Sequence, residues 1–209
     1  LYFAALNYYY QHSFCYIELG DGDELWENRS FSAIQNIHSN VFWLLSLFYE
    51  EHRLFMLFGN HDIAKKDFHP FSDCCFHEGL RLKDCVTGQE LYLTHGHQAD
   101  FFNSTLWRLS CFLVRYLWKP LEQFGVLDPT SAAKNYKVKN KTEQRLQEWT
   151  KLHKKILITG HTHRPVLGSK DSLYFNTGSC VHPRCITCIE LVHRESVSYT
   201  HLRAHETLM

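Results

Sequence analysis

The residues with the clearest capacity for chemistry are the two histidines of an Ile-Thr-Gly-His-Thr-His-Arg-Pro segment at 158–165. His161 and His163 follow a short β-branched run, so the end of a strand can deliver both imidazoles into one pocket. Neutral imidazole binds zinc, manganese and iron, and two ions about 3.5–4 Å apart need neighbouring ligands that reach different ions. Gly160 lacks a side chain where backbone and metal must approach closely. Taken alone, the segment would better fit two surface histidines in a turn. Together with the segments described next, it indicates a two-metal site.

Three earlier segments share one sequence pattern, in which polar residues directly follow a short apolar run. The runs are 16–19, 54–58 and 91–94, and they precede Gly20-Asp21, Gly59-Asn60-His61-Asp62 and His95-Gly96-His97. An α/β fold gathers its site at the carboxyl ends of its strands, so we expect these side chains to meet. Four such segments in order favour a built site over scattered surface residues.

In order and in residue type, the four segments resemble the calcineurin-like metallophosphoesterases, whose pattern is Asp-x-His, Gly-Asp, Gly-Asn-His-Asp/Glu, His and Gly-His-x-His. The resemblance covers nearly the whole chain and implies an α/β fold with two mixed β-sheets sandwiched by helices in four layers. No Asp-x-His pair stands ahead of Gly20-Asp21, and we expect that pair on a strand before Leu1. The Gly-Asp-x-x-Glu-x-Trp segment at 20–26 is similar to the UDP-2,3-diacylglucosamine pyrophosphatase branch of the family.

The resemblance also implies the ligands of two divalent metal ions, with manganese expected and iron or zinc as alternatives. One ion would be bound by Asp21, Asn60, His95 and His161. The other would be bound by His163, by Asp21 as a bridging carboxylate, and by the upstream Asp-x-His pair. A carboxylate suits the bridging position because it offers two oxygens and a negative charge to two crowded cations.

The activity that the resemblance implies is hydrolysis of a phosphomonoester, a phosphodiester or a pyrophosphate by a hydroxide that bridges the metals. His61 would protonate the leaving oxygen, Asp62 would orient His61, and Arg164 is the candidate for substrate binding. His97 is expected beside the ligands rather than among them. The charge of Asp23 is expected to face solvent.

Composition limits the class of protein. With 209 residues, 44% of them hydrophobic, the chain is long enough for one sizeable core and short for two domains. Lys and Arg together number 22, as do Asp and Glu, so no overall basic field indicates nucleic acid. The eight cysteines lack the spacing of a disulfide framework, so reduced, mostly buried thiols are expected. No apolar run reaches the ~18 residues of a membrane span, and we expect a cytoplasmic protein.

The spacing of apolar residues predicts the elements that must position these side chains. We expect helices at 3–12 and 31–50, and a β-hairpin at 80–94. Ser30 or Ser32 is the predicted N-cap of the second helix, and its Trp43 and Phe48 are predicted to lie in the core.

Residues 1–196 are predicted to form one domain that lacks its first strand, with a helical insertion at about 101–155. An insertion of roughly fifty residues between two site strands is unusually long, so we expect a lid over the substrate. The alternative is helices that simply pack on themselves, and the stretch 101–120 could also contact the inner face of a membrane. Residues 197–209 back-translate into a sequence that resembles a sequencing-library adapter, and we expect them to be a non-native tail.

Other classes of function stay open at this point. A binding module with this fold but without catalysis would carry substitutions among the ligands. A structural zinc protein would need paired Cys-x-x-Cys motifs, and the chain has one, at 185–188. Among enzymes, the substrate could be a lipid-linked pyrophosphate, another phosphate ester of small size, a nucleotide, a phosphoprotein or a nucleic acid.

Overall fold

The computed structural model describes residues 1–28, 30–67, 76–118, 135–169, 171–181, 185–192 and 195–202. Its helices are α1 (Tyr2–Gln11), α2 (Phe31–Ile37), α3 (Ser39–Glu50), α4 (Phe101–Ser104), α5 (Trp107–Leu113) and α6 (Tyr136–His153). Its strands are β1 (Tyr16–Leu19), β2 (Leu54–Leu57), β3 (Phe76–His77), β4 (Gly79–Lys83), β5 (Glu90–Thr94), β6 (Ile156–Thr159), β7 (Tyr174–Asn176), β8 (Cys185–Val192) and β9 (Glu195–Leu202). There are 3-10 helices at Ile63–Asp67 and His97–Ala99, and a π-helix at Val114–Trp118. The predicted α/β class is confirmed.

The first sheet is parallel and has the strand order β1-β2-β3. Leu19 at the end of β1 pairs with Leu57 at the end of β2, so the two strands end at the same level. Helices α1 and α3 cover this sheet through a buried cluster of Leu6, Leu44, Leu45, Phe48, Leu54, Met56 and Phe76. As a consequence, the loops that follow β1 and β2 lie side by side at one end of the sheet.

The second sheet is mixed and has the order β4-β5-β6-β7, with β4 antiparallel to β5 and the other pairs parallel. The predicted hairpin is confirmed, because Gly79 pairs with Thr94 across β4 and β5. Helix α6 packs on this sheet through Leu146, which is buried with Leu157 and Tyr174. The loops after the parallel strands β5 and β6 therefore also lie side by side. Whether the two sheets form the expected four layers stays a prediction.

Strands β8 and β9 form a separate antiparallel pair, from Cys185 opposite Leu202 to Val192 opposite Glu195. Strand β9 thus includes the first residues of the predicted non-native tail, and 203–209 lie outside the described residues. The division of the chain between 196 and 197 stays a prediction.

The helix predicted at 31–50 consists of two helices, α2 and α3, which are separated at His38. The backbone angles of His38, φ −108° and ψ 32°, depart from helical values and interrupt the segment. Ser30 is the N-cap of α2, since its hydroxyl accepts a hydrogen bond from the Ala33 amide at 3.2 Å.

Of the two core residues predicted on α3, Phe48 is fully buried, but Trp43 is 58% exposed. Helix α3 turns Leu44 and Phe48, four residues apart, towards the first sheet. Trp43 precedes Leu44 by one residue, which places it about 100° away around the helix. The prediction for Trp43 is wrong because apolar residues occur on more than one side of this helix.

Among the described cysteines, Cys111, Cys185 and Cys188 are half-buried. Burial was expected for most of them, but Cys15, Cys85 and Cys180 are exposed. The expectation followed the general tendency of cysteine to be buried, which does not fix individual positions. The vicinal pair at 74–75 lies outside the described residues.

The insertion predicted at 101–155 divides into parts with different surroundings. Its second part, α6, packs on the second sheet through Leu146, and the lid over the substrate stays a prediction. Its first part reaches the loop after β1, because the Arg115 guanidinium donates hydrogen bonds to the carbonyl oxygens of Trp26 at 2.7 Å and Leu25 at 3.0 Å. Residues 119–134 lie outside the described part of the chain. No helix that the structure describes is long and apolar enough to cross a membrane.

The packing of α6 can be tested with Leu146→Ala. Removing a buried leucine side chain leaves a cavity against Leu157 and Tyr174, and we expect the free energy of unfolding to fall by about 2–5 kcal/mol. Leu152→Ala is the matched control on the same helix, because Leu152 is 79% exposed, and its effect should stay within about 0.5 kcal/mol. Urea denaturation followed by circular dichroism measures both. Equal, small effects would mean that α6 is not part of the core.

Candidate metal centre

Three side chains that could bind a metal ion converge where the loops after β1, β5 and β6 meet. Asp21, His95 and His161 each bring one ligand atom within 4.8 Å of the others. The loop after β1 lies very close to the loop after β2, since a Cβ atom on Gly20 would lie 2.4 Å from the Gly59 nitrogen. Gly20 also has φ +89°, a conformation in which glycine is favoured. Glycine is therefore required for the approach that places Asp21.

The ring of His95 is held so that its Nε2 atom faces Asp21 and His161 and can bind a metal ion. Its Nδ1 lies 2.8 Å from the Leu19 carbonyl oxygen, which can only accept, so Nδ1 carries the proton. In a neutral ring Nε2 is then unprotonated, and it lies 3.0 Å from Asp21 Oδ2 and 3.2 Å from His161 Nδ1. Burial acts to lower the pKa of His95, but Asp21 raises it, so a proton on Nε2 can join these two groups, and a bound metal ion would take the place of that proton. A hydrogen bond from the outer nitrogen of a metal-binding histidine is the usual arrangement in metal sites.

Asn60 also has the environment of a ligand. It is 1% exposed, and its Oδ1 has no hydrogen-bond partner among the residues that the structure describes. Its Nδ2 donates to Asn103 Oδ1 at 3.4 Å. An amide oxygen that is buried without a donor is costly unless a cation or water satisfies it. These donor types fit a divalent metal ion.

The electrostatics of the cluster favour an ionised carboxylate between imidazoles. Burial acts to raise the pKa of Asp21, but the neighbouring His95 and His61 hold that pKa well below its usual range. Burial lowers the pKa of His161 and, together with His95 and His161, lowers the pKa of His97 to about 3. His97 and His161 are therefore neutral near pH 7, the state in which imidazole binds metal.

His61 lies beside the cluster and is fixed by two neighbours. Its Nδ1 lies 2.6 Å from Glu24 Oε2, and its ring stacks on Trp26 with the centroids 4.2 Å apart. Burial acts to lower the pKa of His61, but the carboxylates of Asp21 and Glu24 raise it to about 9. The backbone nitrogen of His61 also donates to Asp21 Oδ1 at 2.8 Å. An imidazolium in this position could donate a proton at the edge of the metal cluster.

Asp62 makes different contacts from those expected of it. The prediction was that it orients His61, but that contact belongs to Glu24. Asp62 Oδ1 accepts hydrogen bonds from the backbone nitrogens of Asp21 at 3.1 Å and Gly59 at 2.6 Å. Its Oδ2 lies 2.8 Å from Lys65 Nζ. Asp62 thus joins the loops after β1 and β2, and it acts on His61 through its charge alone.

Lys65 is a fully buried cation that the sequence analysis missed. Its ammonium group contacts Asp62, Asp23 and, at 3.5 Å, Glu18 Oε1. Burial raises the pKa of Glu18 to about 7, whereas the three carboxylates outweigh burial and raise the pKa of Lys65. Asp23 is accordingly buried in an ion pair, and the expectation that it faces solvent is wrong. A lysine two residues into a 3-10 helix carries no signal in the sequence that it will be buried.

The remaining predicted site residues lie around this centre. His163 is exposed at the rim and is not one of the three converging ligands. His97 is buried beside His95, with ring centroids 5.5 Å apart. Arg164 was expected to bind substrate, but its guanidinium is paired with both carboxylate oxygens of Glu143. That pairing makes Arg164 primarily a support of the loop that carries His161.

A buried polar network below this loop was also missed by the sequence analysis. Glu143 of α6 accepts a hydrogen bond from the Thr162 hydroxyl at 2.8 Å. Asn176 Nδ2 donates to the Gly160 carbonyl oxygen at 2.7 Å. One signal was present: Glu143 stands three residues before Leu146 and seven before Thr150, on the helix side that is buried. Helix α6 therefore shapes the loop that presents His161.

Comparison with known proteins adds little to this picture. No family model and no curated protein matches the chain. A solved structure from Streptococcus pneumoniae TIGR4, of a conserved uncharacterized protein described as a predicted phosphoesterase, is similar to it at 13% sequence identity. The match covers 95% of this chain and 88% of that chain, with a TM-score of 0.37. At that TM-score the likeness supports no conclusion, so the class stated here, an α/β protein in which Asp21 meets the buried His95 and His161, rests on the geometry.

The role of Lys65 in holding the loops can be tested with Lys65→Met. The substitution leaves three buried carboxylates without their cation, and we expect the free energy of unfolding to fall by about 3–5 kcal/mol. Lys65→Arg, which keeps the charge, should lose less. Lys151→Met is the control on an exposed face of α6 and should stay within about 0.5 kcal/mol. Urea titration at pH 7 measures all three, and a Lys65→Met protein as stable as the control would contradict the proposed ion pairs.

Proposed function

We propose that the protein is a metal-dependent phosphoesterase that hydrolyses a phosphomonoester, a phosphodiester or a pyrophosphate. The observation that carries this proposal is the convergence of Asp21, His95 and His161 at 4.8 Å or less, with His61 beside them. Acceptor atoms suited to a divalent cation, placed next to a histidine suited to proton transfer, match the needs of phosphoryl transfer to water. The resemblance in sequence order to the calcineurin-like metallophosphoesterases points the same way.

The residues that would hold one cation are Asp21, Asn60, His95 and His161. Asp21 and His163 would contribute to a second cation at the exposed rim. Manganese is the ion we expect, and zinc or iron would accept the same ligands. When bound, such cations would supply positive charge against phosphate oxygens and lower the pKa of a water molecule.

The protein's own contribution to the reaction is clearest at His61. Glu24 Oε2 accepts a hydrogen bond from His61 Nδ1–H, so Nε2 is the nitrogen that can transfer a proton to the leaving oxygen. The stack on Trp26 fixes the plane of the ring, and Arg115 holds the Trp26 backbone in turn. Glu24 therefore takes the orienting role that the sequence analysis gave to Asp62.

The substrate is proposed only as a class. The side chains of His61 and His163 reach solvent, so a phosphate group can approach the centre from that side. Helices α5 and the π-helix expose Leu109, Phe112, Tyr116 and Leu117 near the Trp26 loop. An apolar surface of this kind suits a lipid-linked pyrophosphate better than a small polar ester. The proposal therefore includes contact of this surface with the inner face of a membrane. Location in the cytoplasm is proposed with it.

Metal dependence can be tested on the full-length protein with p-nitrophenyl phosphate and bis-p-nitrophenyl phosphate. We expect hydrolysis with Mn²⁺ and its loss in excess chelator, with recovery when Mn²⁺ is returned. His161→Ala removes a ligand and should lower kcat/KM by more than about 100-fold. His153→Ala, at the exposed end of α6, is the control and should retain activity. Hydrolysis that survives complete metal removal would refute the proposal.

The roles of His61 and Glu24 can be separated from metal binding. Loss of the proton donor in His61→Ala should lower kcat by about 10²–10⁴-fold while metal content stays unchanged. Glu24→Gln leaves the ring less well oriented and should show a smaller loss in kcat. Glu50→Gln, on an exposed helix end, is the control. Metal content measured by elemental analysis distinguishes the two possible roles of His61. Loss of metal from His61→Ala would mean that His61 is a metal ligand and not the proton donor.

A further inference from the structure

Two buried polar residues at the start of the inserted segment contact metal ligands from both sheets. Asp100 follows the 3-10 helix after β5, Asn103 lies in α4, and the two are 5% and 3% exposed. The ligand Asn60 follows β2 of the first sheet, and the ligand His161 follows β6 of the second. Asp100 and Asn103 thus lie where the two halves of the site meet.

The contacts form a continuous chain between the two ligands. Asp100 Oδ2 lies 3.6 Å from His161 Nε2 and accepts a hydrogen bond from Asn103 Nδ2 at 2.7 Å. Asn103 Oδ1 accepts from Asn60 Nδ2 at 3.4 Å. The order along the chain is His161, Asp100, Asn103, Asn60.

The carboxylate at the centre of this chain fixes the orientation of Asn60. An ionised carboxylate can only accept hydrogen bonds, so Asn103 must turn its NH₂ group towards Asp100. Its oxygen then faces Asn60, and Asn60 must present its own NH₂ group to that oxygen. The remaining atom of the Asn60 amide is Oδ1, the buried atom that has no partner among the described residues. Asn60 therefore offers oxygen, and not nitrogen, to the metal centre.

The same carboxylate selects the tautomer of His161. A neutral imidazole carries one proton, and the proton is favoured on Nε2, where it faces Asp100 Oδ2. Nδ1 is then unprotonated and faces His95 Nε2 at 3.2 Å, inside the metal cluster. Nε2 has no hydrogen-bond partner among the described residues, so Asp100 acts on it through its negative charge at 3.6 Å.

We propose that Asp100 is a positioning residue, which through its charge sets the ligand atoms that Asn60 and His161 turn towards the metal. The inference rests on the proposed metal-dependent function and adds a residue to it. A single acceptor group thereby aligns ligands that arise on different sheets. The segment after β5 is then part of the metal centre, even where it supplies no ligand.

The test is metal binding by the full-length protein after removal of metal. Asp100→Asn keeps the size of the side chain but can donate hydrogen bonds, so the orientation of both ligands is no longer imposed. We expect Mn²⁺ to bind about 10–100-fold more weakly, by isothermal titration calorimetry. Asp171→Asn, an exposed aspartate, is the matched control and should bind as the wild type does. The ¹⁵N signals of His161 should show the Nε2–H tautomer in the wild type and a mixture in Asp100→Asn.

A merely structural role for Asp100 predicts a lower melting temperature of the metal-free protein with an unchanged Kd, and that result overturns the inference. If Asp100→Asn does not fold, Asn103→Ala takes its place, since it releases Asn60 alone and should weaken Mn²⁺ binding about 10-fold. An unchanged Kd in a folded Asn103→Ala protein also overturns the inference. Wild-type protein that binds no divalent ion would refute the proposed function itself, which distinguishes the two failures.

Discussion

The interaction on which the rest of the site depends is the pair of hydrogen bonds that Asp62 accepts from the backbones of Asp21 and Gly59. It joins the loops after β1 and β2, and Lys65 neutralises the carboxylate from below. The junction holds the Asp21 backbone, and the hydrogen bond from the His61 backbone nitrogen to Asp21 Oδ1 directs the side chain, whose other oxygen lies 3.0 Å from His95 Nε2. A buried ion pair contributes little net stability, so we interpret its presence as a requirement of geometry.

The two sheets contribute to the centre in different ways. The first supplies Asp21, Asn60 and His61, and its loops are joined by Asp62. The second supplies His95 and His161, whose loop is held from below by Glu143 of α6. The two described parts of the helical insertion have different surroundings, because α6 packs on the second sheet and the segment before it contacts Asn60, His161 and the loop after β1.

Burial and local ion pairs determine the protonation states of the side chains in the centre. The net charge of the chain contributes nothing to them, since basic and acidic residues are equal in number. The carboxylate of Asp21 stays ionised because imidazoles surround it. The carboxylate of Glu24 faces His61, and that of Asp62 faces Lys65. Glu18, Asp23 and Asp62 share the Lys65 cation and Glu24 faces His61, whereas Asp21 is the carboxylate that lies against His95 and is directed at the proposed metal.

The sequence by itself determined the α/β class, the strands that precede the site loops, and the grouping of Asp21, His95 and His161, because short apolar runs and the residues that follow them are local signals. It could not determine that Glu24 and not Asp62 contacts His61, that Trp43 is exposed, or that Lys65 and Asp23 are buried. Those outcomes depend on which loops lie side by side and which helix face meets a sheet. Such contacts join residues far apart in the chain, and only the tertiary structure decides them, because no local pattern records the distance between two side chains.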